Sequence, residues 1–421
     1  MTLEKERLAD YSAEIPNFLS VLIFSIFFNI ASPILIEISK STNILTANLG
    51  FIFTTYTIGA AFGMLTSVFY NRRFKKIQVI IAGYIILIPL AVVIGFSSSK
   101  YLFWGLYLLS GYVLGVIWMQ ANQFILASKL KNKERLITIF LTFYPIGAFI
   151  APFISSSIIS AGFSWRLIPY TVIFLISLNI VLYIVLLGRK SENTAIQNEA
   201  RLPLKEVFAD KTKNLIFLLL FLAICFYGSS ETIVATWTPT FLGLARSMSI
   251  QSASLALNLF WLFVVIGRLI VLIIAGRVKS VRIMLFISTL AVISMLVFSF
   301  INNKYLIFVL ISAAGLGYSA MFPMLISMGS TLYEKGGGLL ATFLFMASNM
   351  GLALAPVIIK FSSKVSMQLS ISFSFILMAI VSIIILIVAF LFNRTAKNNV
   401  NQEPVKEVPG YREPVGEVPI N

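Results

Sequence analysis

The sequence predicts an all-α membrane protein: twelve transmembrane helices built as two six-helix, pseudo-symmetric bundles. Three observations predict it. Of 421 residues, 59% are hydrophobic and 11% charged, with a mean hydropathy of +0.95. Soluble domains carry about a quarter charged residues, and no soluble core of this size hides that much apolar side chain, so the solvent is lipid. Apolar stretches of about twenty residues, the length that spans a bilayer as a helix, recur along the whole chain. The chain also repeats itself at one fixed offset.

Composition excludes several classes. The net charge of +16 is spread in short clusters between apolar stretches, not on a basic face with interleaved aromatics, so no nucleic-acid partner is expected. The single cysteine, Cys225, lies in an apolar run and allows no intramolecular disulfide. The chain has no histidine, which removes the commonest metal ligand and neutral-pH proton shuttle. No metal or cofactor is expected, and proton chemistry falls to carboxylates. The first fifteen residues carry four acids and two bases and lack the basic start of a signal peptide, so the first helix is expected to be retained.

Charged clusters bound each expected span in turn. The first, 16–38, ends before Lys40; the second, 47–70, ends at Arg72, Arg73, Lys75 and Lys76. The third, 76–96, stops before Lys100; the fourth, 101–128, meets the Lys129–Arg135 loop. The fifth, 135–161, and the sixth, 166–188, flank Arg166. After the polar stretch 189–212 come 213–243, ending before Arg246, and 250–277, ending at Arg277, Lys279 and Arg282. The last four are 280–300, 304–331, 337–362 and 367–393, punctuated by Lys304, Lys335, Lys360 and Lys364.

The loops divide by charge. One side carries 24 of the 32 lysines and arginines, including both termini. Lys and Arg are retained on the cytoplasmic side, which places both termini in the cytoplasm of a multi-pass cell-membrane protein. The domain reading is a cytoplasmic N-terminus (1–15), a six-helix bundle (16–188), a cytoplasmic linker (189–212), a second bundle (213–393) and a Pro/Glu-rich tail (394–421) expected to be disordered.

The internal repeat has an offset of 204 residues. Lys100-Tyr101-Leu102 recurs as Lys304-Tyr305-Leu306, Gly111 as Gly315, Gly63 as Gly267, and Arg73 as Arg277. Gly147 and Pro152 recur as Gly351 and Pro356. A six-plus-six duplication with one orientation is the parallel repeat of major facilitator transporters, which encloses a cavity between its halves.

Further stretches carry a resemblance. Ser67, Asn71, Arg72, Phe74, Lys75 and Lys76 look like a worn copy of a loop pattern of the major facilitator superfamily. Tyr227-Gly228-Ser229-Ser230-Glu231 with Trp237-Thr238-Pro239, Asn258 with Trp261 and Gly267-Arg268, and Gly315, Gly317 and Phe322-Pro323 resemble helices 7, 8 and 10 of the fucose/proton symporter family within it. Gly162-Phe163-Ser164-Trp165-Arg166 resembles the opening of its sixth helix. The resemblance covers about residues 16–393 and implies alternating-access uptake of a sugar or related polar solute with protons, by a monomer. Fucose symporters carry carboxylates in helices 1 and 4; Pro33 and Trp118 stand at those places here.

An ionisable group inside a span is a functional candidate by default, because its burial costs a few kcal/mol or more. Glu37 sits near the end of the first span and reads as an interfacial charge. Glu231 lies deep in span 7, with Tyr227 and Thr238 on the same helical face, and is the candidate proton-coupling residue. Its structural alternative is a charge partner for Arg268, mid-way along span 8 near one face with Trp261 and Asn258. The sharper expectation is a Glu231–Arg268 pair that breaks and re-forms during alternation. Candidate solute ligands are Asn29, Trp118, Gln120, Asn122, Tyr227, Trp237, Asn258, Trp261, Arg268 and Asn349, with Ser32 beside Asn29. Sugars are held by amides and hydroxyls around an aromatic face. Gly147, Pro152, Gly351 and Pro356 read as packing and hinge elements, and Arg72, Arg73 and Arg277 as loop cations that tune the gate.

Two other readings share the architecture: an exporter of drugs or amphiphiles, and a carrier of organic anions built on Arg268. A non-transporting sensor is a third. An enzyme is not expected, since Gly336-Gly337-Gly338 lacks the Lys-Ser/Thr of a phosphate loop and no nucleophile motif or metal cluster is present in the sequence.

Overall fold

The computed structural model describes residues 14–70, 73–127, 133–187, 211–274, 277–330, 332 and 337–400. Among these residues twelve helices are long and apolar enough to cross a membrane, and no strand occurs. They are α1 Ile15–Thr42, α2 Thr46–Ser67, α3 Lys76–Phe96, α4 Lys100–Ile125, α5 Ile139–Ser160 and α6 Trp165–Leu186, then α7 Lys211–Ala245, α8 Ile250–Ile274, α9 Ser280–Phe300, α10 Lys304–Gly329, α11 Phe343–Ser362 and α12 Met367–Leu391. All twelve expected spans are there. The last helix continues to Val400, past the expected start of a disordered tail at 394. The linker residues 189–210 and the tail from 401 lie outside the described residues.

Burial is uneven among the helices. The most apolar window of α1 is 89% buried and that of α7 67%, whereas that of α6 is only 28%. Rows of large apolar side chains face outward, such as Phe174, Leu178 and Val181 on α6 and Phe286, Ile293 and Phe300 on α9. In water those rows would be costly; in hydrocarbon they are the expected surface.

The repeat is visible as equivalent contacts. A Cβ on Gly111 of α4 would overlap the Tyr56 carbonyl of α2, and one on Gly315 of α10 would overlap the Phe260 carbonyl of α8. Tyr56 and Phe260 are themselves 204 residues apart. Gly147 of α5 presses on Leu22 and Ser25 of α1, and Gly351 of α11 on Cys225 and Ser229 of α7. Only glycine lets these backbones approach so closely, and each half uses it at the same places. The halves meet where α5 packs on α8, α2 on α11, and the middle of α1 on α7.

Four of the described helices depart from a continuous α-helix, none of them foreseen: α1, α6 and α10, and α2, which has a turn at Gly50 between Thr46–Leu49 and Phe51. α1 breaks into a 3-10 turn at Ser32–Ile34, because Pro33 has no N–H to continue the ladder. The Ser155 hydroxyl on α5 donates to the Ile30 carbonyl at that break, at 2.6 Å. α10 ends a first segment at Tyr318 and resumes at Met321, two residues before Pro323. α6 closes in a π-turn, Tyr183–Leu187. The phenol of Tyr183 donates to Asn17 Oδ1 at 2.9 Å and lies 2.9 Å from Ser20 Oγ. Tyr84 of α3 donates to the same serine, and Asn179 of α6 to Tyr84 and Ser20, so a buried polar cluster ties the start of α1 to α3 and α6. A bonded network of this kind rigidifies what it joins.

Candidate functional site

A proline inside a helix leaves the carbonyl four residues earlier without its backbone donor. Pro145 does this to Leu141, Pro323 to Ser319 and Pro239 to Ala235. All three carbonyls accept side-chain bonds, and two of those bonds cross between the halves. Arg268 Nε donates to Ser319 O at 2.8 Å and its Nη1 to Leu141 O at 3.3 Å, so one guanidinium joins α10 to α5 of the other half. Ser32 Oγ lies 3.0 Å from Ala235 O and 2.9 Å from Thr236 O, joining the break in α1 to α7. Ser32 and Thr236 are 204 residues apart. Repeat-equivalent positions touch only where the pseudo-two-fold axis passes between them, so this bond marks the centre line of the molecule.

Glu231 faces the interior from α7, half-buried. Its Oε1 accepts from the Tyr227 hydroxyl at 2.7 Å, and the same hydroxyl lies 3.0 Å from the Tyr318 carbonyl at the break in α10. Tyr318 is held a second time, because its phenol hydrogen-bonds Ser230 Oγ, which in turn donates to Ser374 O on α12 at 2.6 Å. The expected Glu231–Arg268 ion pair is not closed. Glu37 is paired with Lys40 at 2.9 Å, which agrees with Glu37 as an interfacial charge. Arg268 is drawn aside by the two proline-freed carbonyls, yet its charge and that of Glu231 still act on one another, and both act on Tyr144 of α5.

Tyr144 is the residue at the centre that the sequence reading missed. Its ring stands between halves: 6.2 Å from Trp118 of α4 and 5.9 Å edge-to-face from Trp261 of α8, centroid to centroid. Trp118 packs in turn on Phe24 of α1 at 4.8 Å. Ser25 Oγ donates to the Tyr144 carbonyl at 2.6 Å and Asn29 Nδ2 to Ser25 O at 2.9 Å, placing the Asn29 amide beside this aromatic row. Three buried polar atoms here have no hydrogen-bond partner: Asn29 Oδ1, Trp261 Nε1, and Asn258 Oδ1 one turn before Trp261. Unpaired buried polar atoms are few in native proteins and call for an explanation.

The remaining candidates fall elsewhere. Gln120 donates to Ser67 O at 3.1 Å, an internal brace between α4 and α2, and Asn122 is half-buried on α4. Trp237 is buried with Gly50, Phe53 and Pro356 toward the end of the bundle away from the chain termini, and does not join the aromatic row. At that end Thr54 Oγ1 of α2 donates to Ala353 O of α11 at 3.1 Å, and the Lys360 ammonium stands 4.4 Å over the Phe51 ring. Asn349 of α11 donates to Phe345 O at 3.0 Å and faces Met64 of α2 at 4.0 Å, so it lies at the interface between the halves. Pro152 lies inside the α5 helix and Pro356 inside α11. Arg73 and Arg277 sit in turns, their amides bonded to Tyr70 O and Ile274 O at 3.1 Å each, while Arg72 lies outside the described residues.

Comparison with known proteins agrees with this architecture. A family model described as Major Facilitator Superfamily matches residues 18–356. The chain is 22% identical over 358 residues to a glucose/mannose transporter of Bacillus subtilis (strain 168), covering 82% of this chain and 86% of that protein. It is 24% identical over 319 residues to a protein TsgA homolog of Buchnera aphidicola subsp. Baizongia pistaciae, covering 75% and 79%. Among solved structures it matches that of a D-xylose-proton symporter with a TM-score of 0.73 at 13% identity, over 91% of this chain and 97% of the other, a likeness of fold.

Proposed function

The chain belongs to the Major Facilitator Superfamily, and on that premise we propose that it carries a sugar or closely related polar solute across the cell membrane by alternating access, together with a proton held on Glu231. It is a transporter of small solutes and not an enzyme.

The observation that carries this reading is the set of unpaired polar atoms, Asn29 Oδ1, Asn258 Oδ1 and Trp261 Nε1, beside the Trp118–Tyr144–Trp261 row at the junction of the halves. A ring with hydroxyls on its edge and C–H groups on its face satisfies both features. Binding at the junction also lets solute bias the rocking of one half against the other. Glu231 lies on α7 near enough to act on Tyr144, and its repeat-equivalent in α1 is Phe27, so the proposed proton site is confined to one half. The relative named as a glucose/mannose transporter supports the solute class.

The same atoms weigh against the other readings. An amphiphile carrier has no use for two buried amide oxygens and an indole N–H without partners. An anion carrier built on Arg268 needs its donors free, and two of them are committed to Ser319 and Leu141. The charge bias of the loops supports cytoplasmic termini, and a monomer suffices because the site is made within one chain.

The test uses purified protein in proteoliposomes with an internal pH dye, challenged with hexoses, pentoses, deoxyhexoses, sugar acids and amphiphilic cations. Inward proton flow triggered by a neutral sugar is the expected result. Response to sugar acids or cations alone would overturn the solute class. Sugar flux without a proton signal would overturn the coupling and leave a facilitator.

A further inference from the structure

We propose that Tyr227 relays the protonation state of Glu231 to the break in α10, so that proton binding closes a bond between α7 and the Tyr318 carbonyl. The proposal rests on Glu231 as the proton site and adds the path by which that proton changes the structure.

The number of hydrogens decides which bonds close. A phenol has one. Tyr227 Oη stands 2.7 Å from Glu231 Oε1 and 3.0 Å from Tyr318 O. When Glu231 is ionised both neighbours are acceptors, and the hydroxyl serves one. The carboxylate is the stronger acceptor, so the phenol donates to Glu231 and Tyr318 O receives nothing from it. When Glu231 takes a proton from the aqueous side open to it, the new carboxyl O–H donates to the phenol oxygen. The phenol hydrogen is then released to Tyr318 O, and both bonds close. Loss of the proton reverses the sequence, and no covalent bond other than the carboxyl O–H forms or breaks.

The surroundings make this bond consequential. The Tyr227 ring is confined, with its centroid 5.8 Å from Tyr318 and stacked 6.4 Å from Phe322. The side chain of Tyr318 is tied to α7 through Ser230 in either state, so the proton alters the carbonyl tether alone. The next carbonyl, Ser319 O, is the one Arg268 holds while reaching Leu141 in the other half. A change at Tyr318 is therefore delivered one residue from the bond that crosses the interface. The groups facing Glu231 are Tyr227 on its own helix, Arg268 on α8, Tyr144 on α5 and Tyr318 on α10. The parts of α1, α11 and α12 packed on α7 carry neutral, non-titrating side chains there.

The experiment combines two readouts on the full chain in nanodiscs over a pH series. Infrared difference spectra report the protonated carboxyl of Glu231, assigned by its loss in Glu231→Gln. Spin-label distances between Cys replacements of Ser99 and Asn302, in a Cys225→Ala background, report the conformational equilibrium. Wild type should show the carboxyl band and a pH-driven change of about fivefold in the population ratio, the worth of one hydrogen bond. Tyr227→Phe, which keeps the ring and removes the hydroxyl, should keep the carboxyl band and lose the conformational response. Glu231→Gln, whose amide N–H donates to the phenol as the protonated acid does, should sit at the low-pH distribution at every pH. A carboxyl band with an undiminished response in Tyr227→Phe overturns the relay and leaves Glu231 as the proton site. Absence of a Glu231 band in wild type overturns both.

Discussion

Arg268→Lys is expected to slow transport by about 10- to 100-fold while the protein remains folded. The reason is geometric. The planar fork of arginine holds Ser319 O through Nε at 2.8 Å and Leu141 O through Nη1 at 3.3 Å. A lysine ammonium is a single point on a flexible stem and does not span two carbonyls in different helices. Losing one hydrogen bond from a charged donor costs about 1.5–3 kcal/mol, a factor of roughly 10 to 100 in an equilibrium. The lost bond is the one between halves, so the cost falls on alternation. The charge is kept, which spares Glu231 the loss of the Arg268 cation that acts on it. Arg268→Met, which removes the charge as well, should be worse in transport and also lower the melting temperature. Initial uptake rates and thermal unfolding of the two variants in parallel check this. Wild-type uptake by Arg268→Lys would show that the bridge to Leu141 is incidental.

The second large effect is expected at Trp261. Its ring stacks edge-to-face on Tyr144 across the interface, and its Nε1 has no partner. Trp261→Phe keeps an aromatic face and deletes the donor, so solute affinity should fall by about fivefold, the worth of a neutral hydrogen bond near 1 kcal/mol. Trp261→Leu deletes the face too. An aromatic contact adds about 0.5–1.5 kcal/mol beyond its area, so the combined loss should reach about 10- to 50-fold. Equilibrium binding by tryptophan fluorescence, with Trp118→Phe as a parallel case, reads both steps. If Trp261→Phe binds as wild type does, the indole N–H is not a ligand and its lack of a partner belongs to packing.

Much of the fold was legible because it rests on composition. Twelve apolar stretches bounded by charge clusters leave little choice in lipid, and the 204-residue offset foretold which helices would pack alike, as Gly111 on Tyr56 and Gly315 on Phe260 show. The interruptions were less legible. The prolines at two of them, Pro33 and Pro323, are visible in the sequence, as are the hinge candidates Pro152 and Pro356, whereas nothing marks the π-turn of α6. Each helix proline also exposes a carbonyl four residues earlier. Applied to Pro145, Pro239 and Pro323, that rule marks Leu141, Ala235 and Ser319, where Arg268 and Ser32 bind. It would also have warned that Arg268 has acceptors other than Glu231.

The site was partly legible. Glu231 and Tyr227 share a face because they are one helical turn apart, and their bond at 2.7 Å is local. Trp118 and Trp261 meet Tyr144 through tertiary packing alone, and no spacing in the sequence announces it. Gln120 faces Ser67 instead, since two residues along a helix turn it away from the side that Trp118 presents. Trp237 lies too far along α7 from Glu231 to reach the same layer.

The proposed coupling needs Glu231 to bind the proton but not to carry the solute across. It is tested most directly by comparing two fluxes in proteoliposomes for wild type and Glu231→Gln, using a transported sugar. Counterflow needs only the loaded carrier to alternate; accumulation under an inward proton gradient needs the proton to bind and leave. Glu231→Gln, a mimic of the protonated acid, is expected to keep counterflow and lose gradient-driven accumulation. Accumulation to the wild-type level by Glu231→Gln would contradict it and move the proton, if one is carried, to another group.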